Sequence, residues 1–68
     1  MHFPRIKEIR IEKKKMQSEI AALLYVSQQQ YSLYERGKRE IPVSYLMVLA
    51  AYYEVTTDYL LGLTDKRR

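Results

Sequence analysis

Gln28, Gln29 and Gln30 stand in a row, with Ser32 and Leu33 close behind and Arg36, Lys38 and Arg39 just beyond. A glutamine amide carries a donor and an acceptor in one plane. That pairing matches N6 and N7 of adenine, and one good bidentate contact discriminates against a wrong base by ~1–3 kcal/mol. Leu33 has no such bond to make, and two readings stand for it: contact with a thymine methyl, or packing at a helix edge. The three cations could clamp phosphates, each one steepening the salt dependence of binding by about 0.9 on a log–log scale. The plainer alternatives are helix-forming surface glutamines and solvated charges.

No competing chemistry is visible. The 68 residues contain no cysteine and one histidine, His2, so neither a disulfide nor a zinc cluster can be assembled. No Ser/His/Asp, Cys/His or paired-carboxylate arrangement is present. An enzyme is rejected on these grounds, and no metal or cofactor is expected. The longest apolar run, residues 43–53, falls short of the ~20 residues that cross a bilayer and carries three tyrosines. The opening MHFPRIKEIR places charges where a signal peptide needs its apolar stretch. The expectation is a soluble cytoplasmic protein with no membrane partner.

Charge is unevenly spread. Residues 1–40 hold nine Lys/Arg against five Asp/Glu, residues 41–65 hold three acids and no base, and Lys66, Arg67 and Arg68 close the chain. A basic half joined to an acidic half suits a polyanion on one side. A solvated lysine-rich surface is the alternative.

The polar row must be held on something, and the spacing points to helices throughout. Pro4 suits a first helical turn, and Ile6 and Ile9 share a face, giving a first helix from about Pro4 to Lys13. Gln17, Ile20, Ala21 and Leu24 fall on one side of a second helix, about Gln17 to Leu24. Ser27 is a good N-cap, which starts a third helix at Gln28 and carries it to about Arg36. On that helix Gln28, Gln29, Ser32, Leu33 and Arg36 span one side, while Gln30, Tyr31, Tyr34 and Glu35 span the other. Gln30 projects sideways and reads as structural. Gly37 follows as a left-handed cap. Pro42 opens a fourth helix, Val43 to Tyr53, with Val43, Leu46, Leu49, Ala50 and Tyr53 as its core stripe. Thr56 caps a short fifth helix that Gly62 stops. Of the seven tyrosines, Tyr31, Tyr34 and Tyr53 are assigned to the core, and Leu23, Tyr45, Met47, Tyr52 and Leu63 are candidates for a self-association patch. One domain fills residues 1–68, with an ordered core over about 4–63 and a basic tail over 64–68 that could add non-specific affinity.

Two short helices joined by a tight turn, the second with a polar outer face, suit a B-DNA major groove about 12 Å wide. The segment from Gln17 to Lys38 resembles the Cro/phage-repressor type of helix-turn-helix, also called the xenobiotic-response-element family. Gln17, Ile20, Ala21 and Leu24 resemble its positioning helix. Val26-Ser27, Tyr31, Tyr34 and Glu35-Arg36-Gly37-Lys38 resemble its recognition helix and exit. Glu40-Ile41-Pro42, Ala50-Ala51-Tyr52-Tyr53 and Val55 to Gly62 extend the likeness over roughly residues 5–62.

The resemblance implies an all-α, compact five-helix lambda-repressor-like domain. It also implies double-stranded DNA as partner, read on a pseudo-palindromic operator by a homodimer, and a bacterial or phage protein associated with the nucleoid. Carried over by position, Gln28 and Gln29 would reach base edges, with Ser32 and Leu33 one turn on. Gln17 and Ser27 would bond phosphates, joined by Arg36, Lys38 and Arg39. Arg10 and Glu35 match a structural ion pair. Three departures stand out: Lys14-Lys15-Met16 replaces the family's usual glycine, leucine and threonine, which removes the hydroxyl cap of the second helix, Tyr25 replaces the turn glycine, and Glu54 stands where glycine or asparagine ends the fourth helix. Met16 is accordingly expected to fill the volume of a buried leucine, and Tyr25 to strain the turn.

The function these residues imply is a transcriptional regulator, in its simplest form a repressor. Three rivals remain at this level: an antitoxin with a protein partner, an interaction module that has lost DNA, and a sequence-blind coating protein.

Overall fold

Proline sets the first residue of the first helix. In the computed structural model, which describes residues 2–68, α1 (Pro4–Glu12) begins at that ring, where a missing N–H leaves no bond unmade. It is followed by α2 (Gln17–Leu23), α3 (Gln28–Glu35), α4 (Val43–Tyr53) and α5 (Thr57–Leu61), with no strand among the described residues. Serine and threonine start α3 and α5. Ser27 Oγ accepts the Gln30 N–H at 3.1 Å, and Thr56 Oγ1 accepts that of Tyr59 at 3.0 Å. At α2 the cap is Met16, which has no hydroxyl to offer. Instead the Glu19 carboxylate accepts the Met16 N–H at 3.3 Å, the reach-back half of a capping box.

All five helices end alike. After each one a residue with positive φ turns the chain, and the next residue's N–H reaches back five positions: Lys15 to Arg10, Val26 to Ala21, Lys38 to Leu33, Val55 to Ala50 and Leu63 to Asp58. This is the Schellman closure, which satisfies carbonyls that the helix end would leave open. Glycine takes the turning position only at Gly37 and Gly62. Lys14, Tyr25 and Glu54 adopt it at φ of 58°, 59° and 58°, although a side chain there costs about 1–2 kcal/mol.

The core forms where the helix stripes meet. Ile6 and Ile9 of α1 join Ile20, Ala21 and Leu24 around α2, Tyr31 and Tyr34 of α3, Leu46, Leu49, Ala50 and Tyr53 of α4, and Leu60 of α5. Full burial of one such side chain is worth about 1.5–3 kcal/mol. Ala21 lets α3 approach α2 closely, and these two helices make the most intimate pair in the molecule. Among the described residues, no helix is long and apolar enough to cross a membrane.

Several expectations need correcting. Lys13, Leu24 and Arg36 are the caps of α1, α2 and α3, so each helix is one residue shorter than its periodicity implied. Val43 sits in the first turn of α4, before packing neighbours close over it, and is 70% exposed. Met16 is 65% exposed and fills no core volume. The candidate self-association residues also divide. Leu23 packs partly against the core, Tyr45 meets Tyr34 edge-on at 6.2 Å, and Met47, Tyr52 and Leu63 are exposed.

The last residues lie against the helices. The Arg67 guanidinium forks onto both oxygens of Glu12 at 2.5 and 2.7 Å, while its carbonyl accepts the Thr56 N–H at 2.7 Å. Arg68 pairs with Glu54 at 2.6 Å. From α1, Arg5 stacks 4.3 Å above the Tyr59 ring, bonds the Thr64 carbonyl and pairs with Asp65 at 2.5 Å. Two of the tail's three cations thus face carboxylates of the chain itself.

Candidate nucleic-acid interface

The turn between α2 and α3 determines what α3 presents. The chain turns within Leu24, Tyr25 and Val26, with Tyr25 at a φ of 59°, before α3 begins. Tyr31 and Tyr34 point inward and are buried, and Gln28, Gln29 and Arg36 are exposed on the other side with Ser32 and Leu33 half-buried between them. Gln17 of α2 joins those five residues in lining a concavity of about 340 Å³. Six of the residues singled out from sequence therefore share one surface.

A charged brace holds that surface in place. Glu35 is buried at the end of α3, and Arg10 of α1 grips its carboxylate through Nε at 2.7 Å and Nη2 at 3.2 Å. Gln17 Nε2 donates to the same group at 3.0 Å. Arg10 Nη1 also donates to the Lys15 carbonyl at 2.8 Å, fixing the loop that enters α2. Three helices thus converge on one carboxylate. Burial pushes the Glu35 carboxyl upward, but the bonds from Arg10 and Gln17 outweigh it and hold the group below the usual carboxylate range. Arg10 is raised in turn, chiefly by its bond to Glu35. The Tyr31 and Tyr53 hydroxyls are buried without a hydrogen-bond partner among the described residues, and burial pushes both phenols well above their ordinary range.

The other expected contact residues flank this centre. Ser27 uses its oxygen to cap α3, which leaves its hydroxyl hydrogen to donate outward. Gln17 has one amide hydrogen committed to Glu35 and retains the second. Lys38 and Arg39 lie exposed beyond Gly37. Arg39 Nη1 donates to Gln30 Oε1 at 2.8 Å, and Gln30 Nε2 donates to the Tyr34 hydroxyl at 3.0 Å. Gln30 is therefore a strut that positions Arg39 rather than part of the outward row.

A helix-turn-helix family model matches residues 6–60, four-fifths of the chain. The chain belongs to the helix-turn-helix family of the Cro/phage-repressor type. Its fold is accordingly the all-α, lambda-repressor-like one. It is similar, at 32% identity over 65 residues, to an uncharacterized HTH-type transcriptional regulator, YobD, of Bacillus subtilis (strain 168). The alignment covers 96% of this chain and 58% of that relative, so the chain spans little more than half the length of the regulator it matches.

Beside this helix-turn-helix, sequence reasoning missed His2. Its Nε2 lies 2.7 Å from the Glu35 carbonyl, and its ring covers Gly37, where an added Cβ would meet His2 Cβ at 3.0 Å. The N-terminal segment is thereby tied to the exit of α3. An isolated histidine outside any helical pattern carries no signal of that contact.

Proposed function

We propose that this chain is the sequence-specific, double-stranded-DNA-binding part of a transcriptional regulator, a repressor that acts by occupying its operator. In this reading α3 enters the major groove. Gln28 and Gln29 bond base edges, Ser32 and Leu33 meet bases one turn further along, and Gln17, Ser27, Arg36, Lys38 and Arg39 hold phosphates. The observation that carries it is the outward amide row on a helix braced from behind by the Arg10–Glu35–Gln17 cluster. Rigid support of this kind is what base readout needs, because a bidentate contact has little tolerance for misplacement. Cations at the margin supply the sequence-independent share of affinity.

One module reads few bases, so a homodimer on a pseudo-palindromic operator completes the reading, with half-sites about 34–36 Å apart. Selection of bound duplexes from a random pool tests it. The expected outcome is an enriched two-fold motif. Recovery of unselected sequence would replace base readout with general polyanion binding.

A further inference from the structure

A second cleft adjoins the α3 concavity. His2, Lys7, Gln17, Ser32, Glu35 and Arg36 line about 360 Å³ between the N-terminal segment, α1 and the exit of α3. Gln17, Ser32 and Arg36 belong to both depressions, so the two are continuous. The charge inside the cleft is one-sided. Its only carboxylate, Glu35, is buried and already bound by Arg10 and Gln17. Lys7 and Arg36 are exposed, and neither forms an ion pair among the described residues. The Ser32 hydroxyl and the second Gln17 amide hydrogen add neutral donors. His2 closes the cleft by bonding the Glu35 carbonyl and packing on Gly37.

We propose that this cleft is an additional backbone-phosphate site, in which Lys7 and Arg36 hold one phosphodiester of the duplex that α3 reads. The inference rests on the DNA-binding reading above and extends the contact surface to α1. Two cations without carboxylate partners and two neutral donors, around a carboxylate already compensated from behind, suit a singly charged oxyanion. A phosphate gripped at this corner sits beside the base-reading face, where it would fix the register of α3 in the groove.

The test is the salt dependence of duplex binding by the full chain, comparing wild type, Lys7→Gln and Arg67→Gln. Lys7→Gln is expected to lower the log–log slope by about 0.9 and to weaken selected and scrambled duplexes alike, with an unchanged thermal midpoint. Arg67→Gln, whose cation already holds Glu12, is expected to keep the wild-type slope. If wild type binds and Lys7→Gln keeps its slope, the proposal is overturned. It is also overturned if Arg67→Gln lowers the slope as much as Lys7→Gln, because the effect would then be one of net charge. Failure of wild type to bind any duplex would overturn the DNA-binding reading instead.

Discussion

Around α3, Arg36 and Lys38 are exposed and form no ion pair among the described residues, whereas on the α1–α5 side Arg5, Arg67 and Arg68 each hold a carboxylate. Both regions look basic in the sequence. They differ because the acidic residues Glu12, Glu54 and Asp65 are all within reach of the second set, while the carboxylate at α3, Glu35, is turned inward to Arg10. A solvated cation can release the counterions of a polyanion when it binds; one already paired gains less by exchanging partners. Net charge alone does not separate the two regions; pairing does, and it supports the α3 side as the phosphate-binding surface proposed above.

The largest expected effect breaks the brace behind α3. Arg10→Met leaves a buried carboxylate uncompensated and should cost ~3–5 kcal/mol of stability by urea unfolding. The same carboxylate gives a pH signature. Its folded pKa is depressed, so the stabilisation is complete above the unfolded carboxyl value and fades as pH falls through the lower folded value. Urea midpoints of wild type should fall on acidification below about pH 4.5, the ordinary glutamate range, and Glu35→Gln should flatten that part of the profile.

Next in size is base readout. Gln28→Ala or Gln29→Ala should cost ~1–3 kcal/mol on a selected duplex and almost nothing on a scrambled one. Equal losses on both would mean that the amide row does not read sequence. The comparison of cations is sharpened by Lys38→Ala, which should weaken all duplexes alike and reduce the salt slope by about 0.9. Smallest is the turn. Tyr25→Gly relieves about 1–2 kcal/mol of left-handed strain and gives back ~0.4–1 kcal/mol to the freer unfolded chain. A rise in thermal midpoint is expected, and a fall would show that the exposed Tyr25 ring holds the turn in some other way.

Much of this was legible in the residues themselves. The inward tyrosines and outward amides of α3 follow from a 3.6-residue repeat, and Ser27, Thr56 and Gly37 mark their boundaries by local chemistry. Even the strained positions could be anticipated, since Tyr25 and Glu54 stand where the resembling family has glycine or asparagine. What stayed hidden depends on contacts distant in sequence. The Val43 side chain fits the apolar stripe of α4 by spacing yet lies beyond the reach of its neighbours. Met16, expected to fill the volume of a buried leucine, points to solvent instead. The bonds from Arg67 to Glu12 and from His2 to the Glu35 carbonyl join residues more than thirty positions apart. No periodicity records such pairings.

The central claim is that the α3 face, and not the paired basic tail, meets DNA. Titration of the isotopically labelled chain with a selected duplex, followed residue by residue by NMR, tests it directly. The account predicts that signals of Gln28, Gln29, Ser32 and Leu33 move first and furthest, while those of residues 64–68 stay close to their free positions. Movement concentrated in the tail and α5, with the α3 amides unmoved, would contradict it.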